Sequence, residues 1–300
     1  MSNKIRFAPS PTGYLHEGHL LSALYVWACA YKWDLKIHLR IEDHDQSRSR
    51  PEYIKSIYED LNRFGFTWDS ESIQSSRKSV YEKALHELEK QDLVYPCYCS
   101  RKQLEAENPK SDSGEIVYQG KCLYLGERRK VVDDRLDAPH NVRVIIPDKV
   151  IKWNDLRLGN FAENPKMQCG DFPIRDRDGQ WTYQFAVCVD DIDEGITHIV
   201  RGEDIRNSTA RQIALMEILG KKERPIYLHH PLIVDSSGKK LSKREKAHSL
   251  RQDLEAGISP QELVGRTCFK AGLTKVKRFL SIQDAIQLVA EQLPKTDLPK

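Results

Sequence analysis

The first sixty residues change twice from a strand pattern to a helix pattern, and this alternation limits the folds open to the chain. Residues 4–8 (KIRFA) form a short apolar run, and apolar residues at helical spacing follow from Leu20 to Ala30. LKIHLRIED alternates like a strand, and the amphipathic segment after it begins near Pro51, a residue favoured in the first turn of helices. This order predicts a parallel sheet in an α/β fold.

The middle of the chain loses this simple alternation. VYEKALHELEKQDLVYPCYCS is predicted to be a helix that breaks at Pro96, and strand-like runs (NVRVIIPD, FPIRD, WTYQFAVCVDD) follow up to about Asp191. THIVRGED then returns as a buried strand, followed by the helix TARQIALMEILG and the strand PIYLHHPLIVD. We therefore interpret the middle segment as an insertion into the α/β domain and the last fifty or so residues as a few small helices.

Composition excludes some classes of protein. The 300 residues include 47 basic and 44 acidic side chains, and this near balance neither requires nor excludes a nucleic-acid partner. No apolar run is long enough to span a membrane, and MSNKIRFAPS has no apolar signal core, so we expect a cytoplasmic protein without a membrane partner. Seven cysteines, an odd number, argue against a disulfide framework in that compartment.

The segment RFAPSPTGYLHEGHL places His-Glu-Gly-His where a helix is expected to begin. A glycine there allows a tight turn, and the N–H groups of a helix N-terminus favour anions. His16 and His19, one helical turn apart, could donate hydrogen bonds to phosphate oxygens. The alternative interpretation is a turn with two surface histidines.

A basic segment more than 200 residues later could complete such a site. KKLSKR, Lys239 to Arg244, surrounds a serine with lysines and an arginine in a glycine-containing loop. Mobile lysines can close over a triphosphate and stabilise the departing pyrophosphate. Alone, this segment is better explained as a solvated basic loop, but its combination with the histidine motif indicates a nucleotide site.

RFAPSPTGYLHEGH, RIEDHD, THIVRGEDI and KKLSKR together resemble the motifs of class I aminoacyl-tRNA synthetases, and of their glutamyl branch in particular. The resemblance extends from about Arg6 to Ala247. It implies a Rossmann-type catalytic domain with an inserted acceptor-binding-like domain. The parts expected are residues 1–95 and 193–249 for the two halves of the catalytic domain, 96–192 for the insertion, and 250–300 for a short helical C-terminal segment without a full anticodon-binding domain.

The resemblance also implies an ATP site and a glutamate site. Glutamate has two carboxylates and one ammonium, so its site needs two cations, for which Arg6 and Arg201 are suited, and one anion, for which Glu42 is suited. Elsewhere such residues more often form ordinary surface ion pairs. The glutamate carboxylate would attack the ATP α-phosphate, with Mg²⁺ accompanying ATP and no protein nucleophile. The residues carried over are Arg6, Ala8, Ser10, Glu42, Tyr183 and Arg201 for glutamate, and His16, Gly18, His19, Lys240, Ser242 and Lys243 for ATP, with His16, His19 and Lys243 as catalytic groups.

Two residues depart from the family pattern. His44 stands in RIEDHD where a small or apolar residue is common, and Glu17 stands where an apolar residue is common in H-x-G-H. We assign neither a polar role in the site.

Only about fifty residues follow KKLSKR, whereas a full glutamyl-tRNA synthetase continues into an anticodon-binding region. The chain therefore resembles the shortened glutamyl-Q tRNA(Asp) synthetase family, which activates glutamate and transfers it to the queuosine base in the anticodon loop of tRNA(Asp). The partners implied are glutamate, ATP and tRNA(Asp), and we expect a monomer. KAGLTKVKRF and GERRK are candidate phosphate contacts, although charged runs are more often solvated faces.

CYC and YQGKC suggest a metal centre. Their spacing alone leaves two interpretations open: a zinc site completed by a fourth ligand, or three ordinary cysteines. The shortened family has a structural zinc site with a Cys-x-Cys…Tyr-x-x-x-Cys pattern, which implies Cys97, Cys99, Tyr118 and Cys122 as ligands here. Since a phenolate is an unusual zinc ligand, water or a nearby histidine are alternatives for the fourth position. The other cysteines, expected to be packing residues, are Cys29, Cys169, Cys188 and Cys268.

Three alternative functions stay open at this point. One is glutamylation of the 3′ end of tRNA(Glu) with an anticodon module on another chain. Another is a catalytically inactive paralogue that binds or regulates, although the polar motif residues are all present. The third is a small-molecule nucleotidyltransferase, which the RIED and VRGED segments and the cysteine pattern disfavour.

Overall fold

In the computed structural model, which describes residues 3–127, 138–233 and 249–295, most strands belong to one twisted sheet. Its strand order is β3-β2-β1-β9-β10-β6-β7, and every neighbouring pair is parallel except the β6-β7 hairpin. The strands are β1 Lys4–Phe7, β2 Lys36–Ile41, β3 Ser70–Ile73, β4 Val94–Cys97, β5 Asn141–Val144, β6 Ile151–Asp155, β7 Gly159–Glu163, β8 Pro173–Arg175, β9 His198–Gly202 and β10 Ile226–His230.

Helices cover the central strands, which explains why β2 and β9 are buried almost along their whole length. The predicted α/β class is thus confirmed, and within the described residues no helix is long and apolar enough to cross a bilayer. The helices are α1 Glu17–Trp33, α2 Pro51–Phe64, α3 Lys78–Glu89, α4 Arg101–Glu107, α5 Lys121–Glu127, α6 Pro165–Cys169, α7 Tyr183–Asp193, α8 Thr209–Ile218, α9 Leu250–Glu255, α10 Pro260–Lys270 and α11 Ile282–Gln292.

Two local predictions were wrong. WTYQFAVCVDD contains helix α7 rather than a strand. Because residues 185–191 are all buried, this helix has no exposed polar face there that would show the helical period in the sequence. The helix expected to reach Pro96 ends at Glu89, and Asp92 in the left-handed region (φ 54°) turns the chain into β4. Since β4 lies at the edge of its sheet, Pro96 is tolerated there.

The segment predicted as an insertion, residues 96–192, contributes to two sheets. Strands β4, β5 and β8 form a separate antiparallel sheet, in the order β4-β5-β8. The β6-β7 hairpin, by contrast, extends the main sheet through the pairing of Asp155 with Tyr227 on β10. The boundaries between the four predicted parts stay a prediction.

The C-terminal helices pack on the main domain. Leu263 and Cys268 of α10, together with Ala285 and Val289 of α11, belong to the same buried cluster as Leu24 of α1. The small helices predicted near the C-terminus are therefore present, and they are integrated into the core beside α1.

Candidate active site and metal centre

The predicted glutamate residues meet at the carboxyl ends of the parallel strands, where α/β sheets usually bind ligands. Arg6 is on β1, Glu42 directly follows β2, and Arg201 is on β9. Tyr183 is the first residue of α7, and burial raises the pKa of its phenol, which also lies within electrostatic reach of Arg201, Glu42 and Arg6. The structure thus brings these four residues together.

The Arg6 guanidinium is buried against acidic residues that the sequence analysis did not single out. Its Nε donates to Asp191 Oδ1 at 3.1 Å, and its Nη1 is 3.4 Å from the carbonyl oxygen of Val200. Burial alone would raise the pKa of Asp191, but the charges of Arg6 and Arg40 lower it. Arg6 is therefore held in one orientation by an ionised carboxylate.

Arg40 is the centre of this ionic network. It is fully buried on β2, and its Nη2 donates to both Asp191 and Glu194 at 2.6 Å, with Asp190 Oδ2 3.8 Å from its Nε. No sequence motif marks Arg40, because its partners Asp191 and Glu194 lie more than 150 residues away along the chain. Removing one partner from this network would leave an uncompensated buried charge. We therefore expect Arg40 and its carboxylate partners to keep the buried side of the glutamate site rigid.

Glu42 has the least compensated carboxylate of the site. Its nearest cation is Arg40, with Nη1 3.6 Å from Glu42 Oε1, and that oxygen is buried without a hydrogen-bond partner among the described residues. Burial raises the pKa of Glu42 to about 7, although Arg40 and Arg6 act in the opposite direction. A buried, incompletely satisfied carboxylate is suited to accept an ammonium group.

Arg201 is held by three neutral groups. Its Nε donates to His229 Nε2 at 3.0 Å, its Nη1 to Gln212 Oε1 at 2.6 Å and its Nη2 to Thr209 Oγ1 at 2.8 Å. No carboxylate of the described residues pairs with it, so its positive charge is not neutralised inside the protein. An anionic ligand would supply the missing charge.

The remaining two predicted glutamate contacts, Ala8 and Ser10, are on the segment that leaves β1. They are half-buried, and the carbonyl of Pro9 between them accepts a hydrogen bond from the backbone N–H of Glu42 at 3.0 Å. The backbone carbonyl of Ser10 accepts from Thr12 at 2.9 Å. This segment is thereby fixed next to Glu42.

The His-Glu-Gly-His segment starts α1 with a reciprocal cap. His16 Nδ1 accepts from the Gly18 backbone N–H, and His19 Nδ1 accepts from the His16 backbone N–H, both at 3.1 Å. In a neutral ring with Nδ1 accepting, the proton is on Nε2, so each imidazole presents an Nε2–H donor. A Cβ atom on Gly18 would lie 2.9 Å from His16 Cε1, so only glycine fits beside this ring without displacing it.

Glu17 and His44, the two departures from the family pattern, both have defined partners. Glu17 is buried and pairs with Arg266 at 2.6 Å and Lys270 at 2.5 Å, both on α10. His44 Nδ1 is 2.7 Å from Gln74 Oε1, and its ring centroid is 6.3 Å from that of Tyr183.

KKLSKR lies outside the described residues, and with it Lys240, Ser242 and Lys243. The first described residues after it lie next to the histidine motif, since the backbone N–H of Leu250 donates to the carbonyl of Leu15 at 2.8 Å. The assignment of these three residues to an ATP site stays a prediction.

The predicted zinc ligands form a buried cluster in the segment that runs from the end of β4 into α5. The sulfur atoms of Cys97, Cys99 and Cys122 all lie within 4.8 Å of one another, and Cys99 and Cys122 are 3.6 Å apart. The Tyr118 phenol oxygen is 3.5 Å from Cys97 Sγ and 3.8 Å from Cys99 Sγ. Tetrahedral zinc with Zn–S bonds of about 2.3 Å would separate its sulfur ligands by about 3.8 Å, so these residues fit such an ion.

Three comparisons with known proteins show what the whole chain is similar to. A family model for the catalytic domain of class I tRNA synthetases (E and Q) matches residues 3–296. The glutamyl-Q tRNA(Asp) synthetase of Neisseria gonorrhoeae is 41% identical over 246 residues, which are 82% of this chain and 81% of that protein.

This chain covers a smaller share of two further relatives. The glutamate–tRNA ligase of Aquifex aeolicus is 38% identical over 268 residues, which cover 88% of this chain but 56% of the ligase. The crystal structure of a glutamate–tRNA synthetase from Elizabethkingia anophelis has a TM-score of 0.78 at 26% identity. The similarity to that structure covers 97% of this chain and 66% of the crystallised one.

Proposed function

This chain belongs to the class I tRNA synthetases for glutamate and glutamine, and we propose that it activates glutamate with ATP and transfers it to the queuosine base in the anticodon loop of tRNA(Asp). The observation that carries the glutamate part of the proposal is the buried group of Arg6, Arg201 and Glu42 at the carboxyl ends of β1, β9 and β2. Its charges complement the two carboxylates and the ammonium of glutamate.

In this site Glu42 receives the substrate ammonium, and Arg6 and Arg201 receive the carboxylates. Arg201 is the better-suited cation, since no described carboxylate competes for it, whereas Arg6 shares its charge with Asp191. Tyr183 lies beside the same groups and, with Ala8 and Ser10, lines the pocket. Because these partners are largely buried and oriented before substrate arrives, little reorganisation accompanies binding.

The N-terminus of α1 is assigned to ATP. His16 and His19 present their Nε2–H donors there, Gly18 permits their packing, and Lys240, Ser242 and Lys243 are proposed to complete the site. A glutamate carboxylate oxygen bonds to the α-phosphorus while the bond to the β-phosphate breaks and pyrophosphate leaves. Mg²⁺ bound with ATP would neutralise phosphate charge; the protein residues orient the reactants and stabilise that charge.

The acceptor is inferred from the named relatives. In the second step a nucleophilic group of queuosine attacks the carbonyl of the adenylate, and AMP leaves. The similarity to the Aquifex aeolicus glutamate–tRNA ligase supports one alternative acceptor, the 3′ end of tRNA(Glu). Because the reactants are ATP, glutamate and tRNA, we place the reaction in the cytoplasm.

We further propose that Cys97, Cys99, Cys122 and Tyr118 bind one structural zinc ion. The phenol oxygen of Tyr118 accepts a hydrogen bond from the backbone N–H of Cys122 at 2.8 Å, and the Arg143 guanidinium lies 3.9 Å from the centroid of the ring. The backbone N–H favours the phenolate form, although burial, the main cause, raises the pKa of the phenol. Burial of the four groups supports a role in tying down this segment rather than in catalysis.

Glutamate-dependent exchange of labelled pyrophosphate into ATP, measured without tRNA, tests the activation step. The purified protein should catalyse exchange, and Lys243→Ala should abolish it while leaving the fold intact. Exchange that required tRNA would favour aminoacylation of tRNA(Glu) instead. No exchange with any tRNA would favour the inactive paralogue.

A further inference from the structure

A buried chain of hydrogen bonds leads away from Arg201 into the sheet. His229 is on β10, next to Arg201 on β9, and Asp155 ends the neighbouring strand β6. Asp155 Oδ2 accepts from the His229 backbone N–H at 2.9 Å and lies 2.7 Å from His229 Nδ1. All three side chains are at most 5% exposed.

Asp155 is itself fixed in place. Its Oδ1 accepts from the backbone N–H groups of Arg157 at 3.0 Å and Leu158 at 2.9 Å, where the chain turns from β6 to β7. Burial alone would raise the pKa of Asp155, but the hydrogen bonds from His229 and from these N–H groups lower it. Asp155 is therefore an ionised, acceptor-only group.

This arrangement determines the tautomer of His229. An arginine Nε–H can only donate, so His229 Nε2, 3.0 Å from Arg201 Nε, must be the acceptor. The ring proton is then on Nδ1, directed to Asp155. Burial, the main cause, lowers the pKa of His229 and keeps the ring neutral, although the hydrogen bond to Asp155 acts in the opposite direction. Trp153 and Tyr227 flank the ring, at centroid distances of 5.9 and 6.4 Å.

We propose that Asp155 and His229 are positioning residues that hold the Arg201 guanidinium in the orientation needed for a substrate carboxylate. Of the five N–H groups of Arg201, three bind His229, Gln212 and Thr209, which leaves one on each Nη for a ligand, as counted over the described residues. Each of these N–H groups can donate to a carboxylate oxygen of the ligand. This inference rests on the proposed function, since it concerns the same glutamate site.

The variants distinguish the loss of a hydrogen-bond acceptor at the Nε2 position from a change in side-chain packing. His229→Leu removes the acceptor, whereas His229→Gln can place its amide oxygen near the same point. In Asp155→Asn an amide N–H directed at Nδ1 would move the ring proton to Nε2, against Arg201. We expect His229→Leu and Asp155→Asn to raise KM for glutamate in pyrophosphate exchange about 10- to 100-fold. His229→Gln should recover most of that loss, and KM for ATP should stay within about twofold in all three.

His198→Leu is the matched control. His198 is an equally buried histidine on β9, but it contacts Thr197 and Trp33 rather than Arg201. The His198→Leu variant should have a changed melting temperature but an unchanged KM for glutamate.

Each result decides one question. An unchanged KM for glutamate in folded Asp155→Asn, or equal effects of the leucine and glutamine variants at position 229, would overturn the positioning role. If His229→Leu does not fold, Asp155→Asn and His229→Gln still give the answer. Absence of glutamate-dependent exchange in the wild-type protein would instead refute the proposed function.

Discussion

The buried carboxylate of Glu42 is unfavourable for protein stability but favourable for binding the substrate ammonium. Its carboxylate is buried with an oxygen that finds no partner in the described part of the chain, and burial raises its pKa to about 7. The sequence could indicate Glu42 as an anion for the substrate ammonium. It could not indicate Asp191 and Arg40, because their roles follow from contacts between β1, β2 and α7 that are more than 140 residues apart.

Glutamate binding should therefore depend on pH. The substrate ammonium needs the ionised form of Glu42, which is lost as the pH falls through about 7. We expect KM for glutamate in the exchange reaction to rise about tenfold per pH unit below that value and to level off above it. Glu42→Gln should raise KM at all pH values and remove this dependence. A wild-type KM that is constant between about pH 5.5 and 8 would contradict the assignment.

Gly18 gives a second test at the scale of single residues. In Gly18→Ala the new Cβ would lie 2.9 Å from His16 Cε1, so the ring must leave its capping position. We expect about a 10- to 100-fold loss of pyrophosphate exchange with a small change in stability. Gly13→Ala is the control, since nothing lies within 4 Å of its Cβ position. Equal activity of the two variants would show that the geometry of His16 is unimportant.

At the scale of elements, strand–helix alternation predicted the start of the sheet because apolar period and burial agree there. It failed at α7, where residues 185–191 are buried on every side, and at β4, where an edge strand accommodates Pro96. Glu17 likewise looked like a deviation in a motif. In the folded protein it links the first turn of α1 to α10, a contact across 249 residues that no local pattern can reveal.

The link between α1 and α10 predicts a measurable coupling. Glu17→Gln leaves Arg266 and Lys270 without their shared carboxylate, and we expect it to lower the free energy of unfolding by about 1–3 kcal/mol. Arg266→Gln should cost a similar amount, and the double variant should lose clearly less than the sum of the two. Chemical denaturation of the four proteins measures this. Strict additivity would mean that the pair at 2.6 Å contributes nothing specific.

At the scale of the whole molecule, the segment with the cysteine cluster packs closely against the end of α6. Tyr118 donates its backbone N–H to the Cys169 carbonyl at 3.2 Å, and a Cβ on Gly170 would lie 2.0 Å from the Tyr118 carbonyl oxygen. The spacing of the cysteines could suggest a metal site but could not decide between zinc and ordinary thiols. The convergence of three sulfur atoms and a phenol oxygen now favours the metal.

Zinc content and stability test this centre together. Purified protein should contain about one zinc ion per chain, and a strong chelator should remove it and lower the melting temperature. Cys122→Ser should abolish stoichiometric zinc, while Cys268→Ser, an equally buried cysteine of the α1–α10 core, should retain it. Zinc-free wild-type protein with unchanged stability would contradict the proposal. Tyr118→Phe, which removes the phenol oxygen alone, should weaken zinc binding if that oxygen is the fourth ligand.

The acceptor is the central claim, and transfer of labelled glutamate tests it most directly. Labelled glutamate and ATP are incubated with tRNA(Asp) that contains or lacks queuosine, each also prepared without its 3′-terminal adenosine. We predict label only on the queuosine-containing tRNA, regardless of its 3′ end, and recovery of that label in the anticodon-loop fragment after ribonuclease digestion. Label on tRNA(Glu) that disappears when its terminal adenosine is removed would contradict the account and assign conventional aminoacylation.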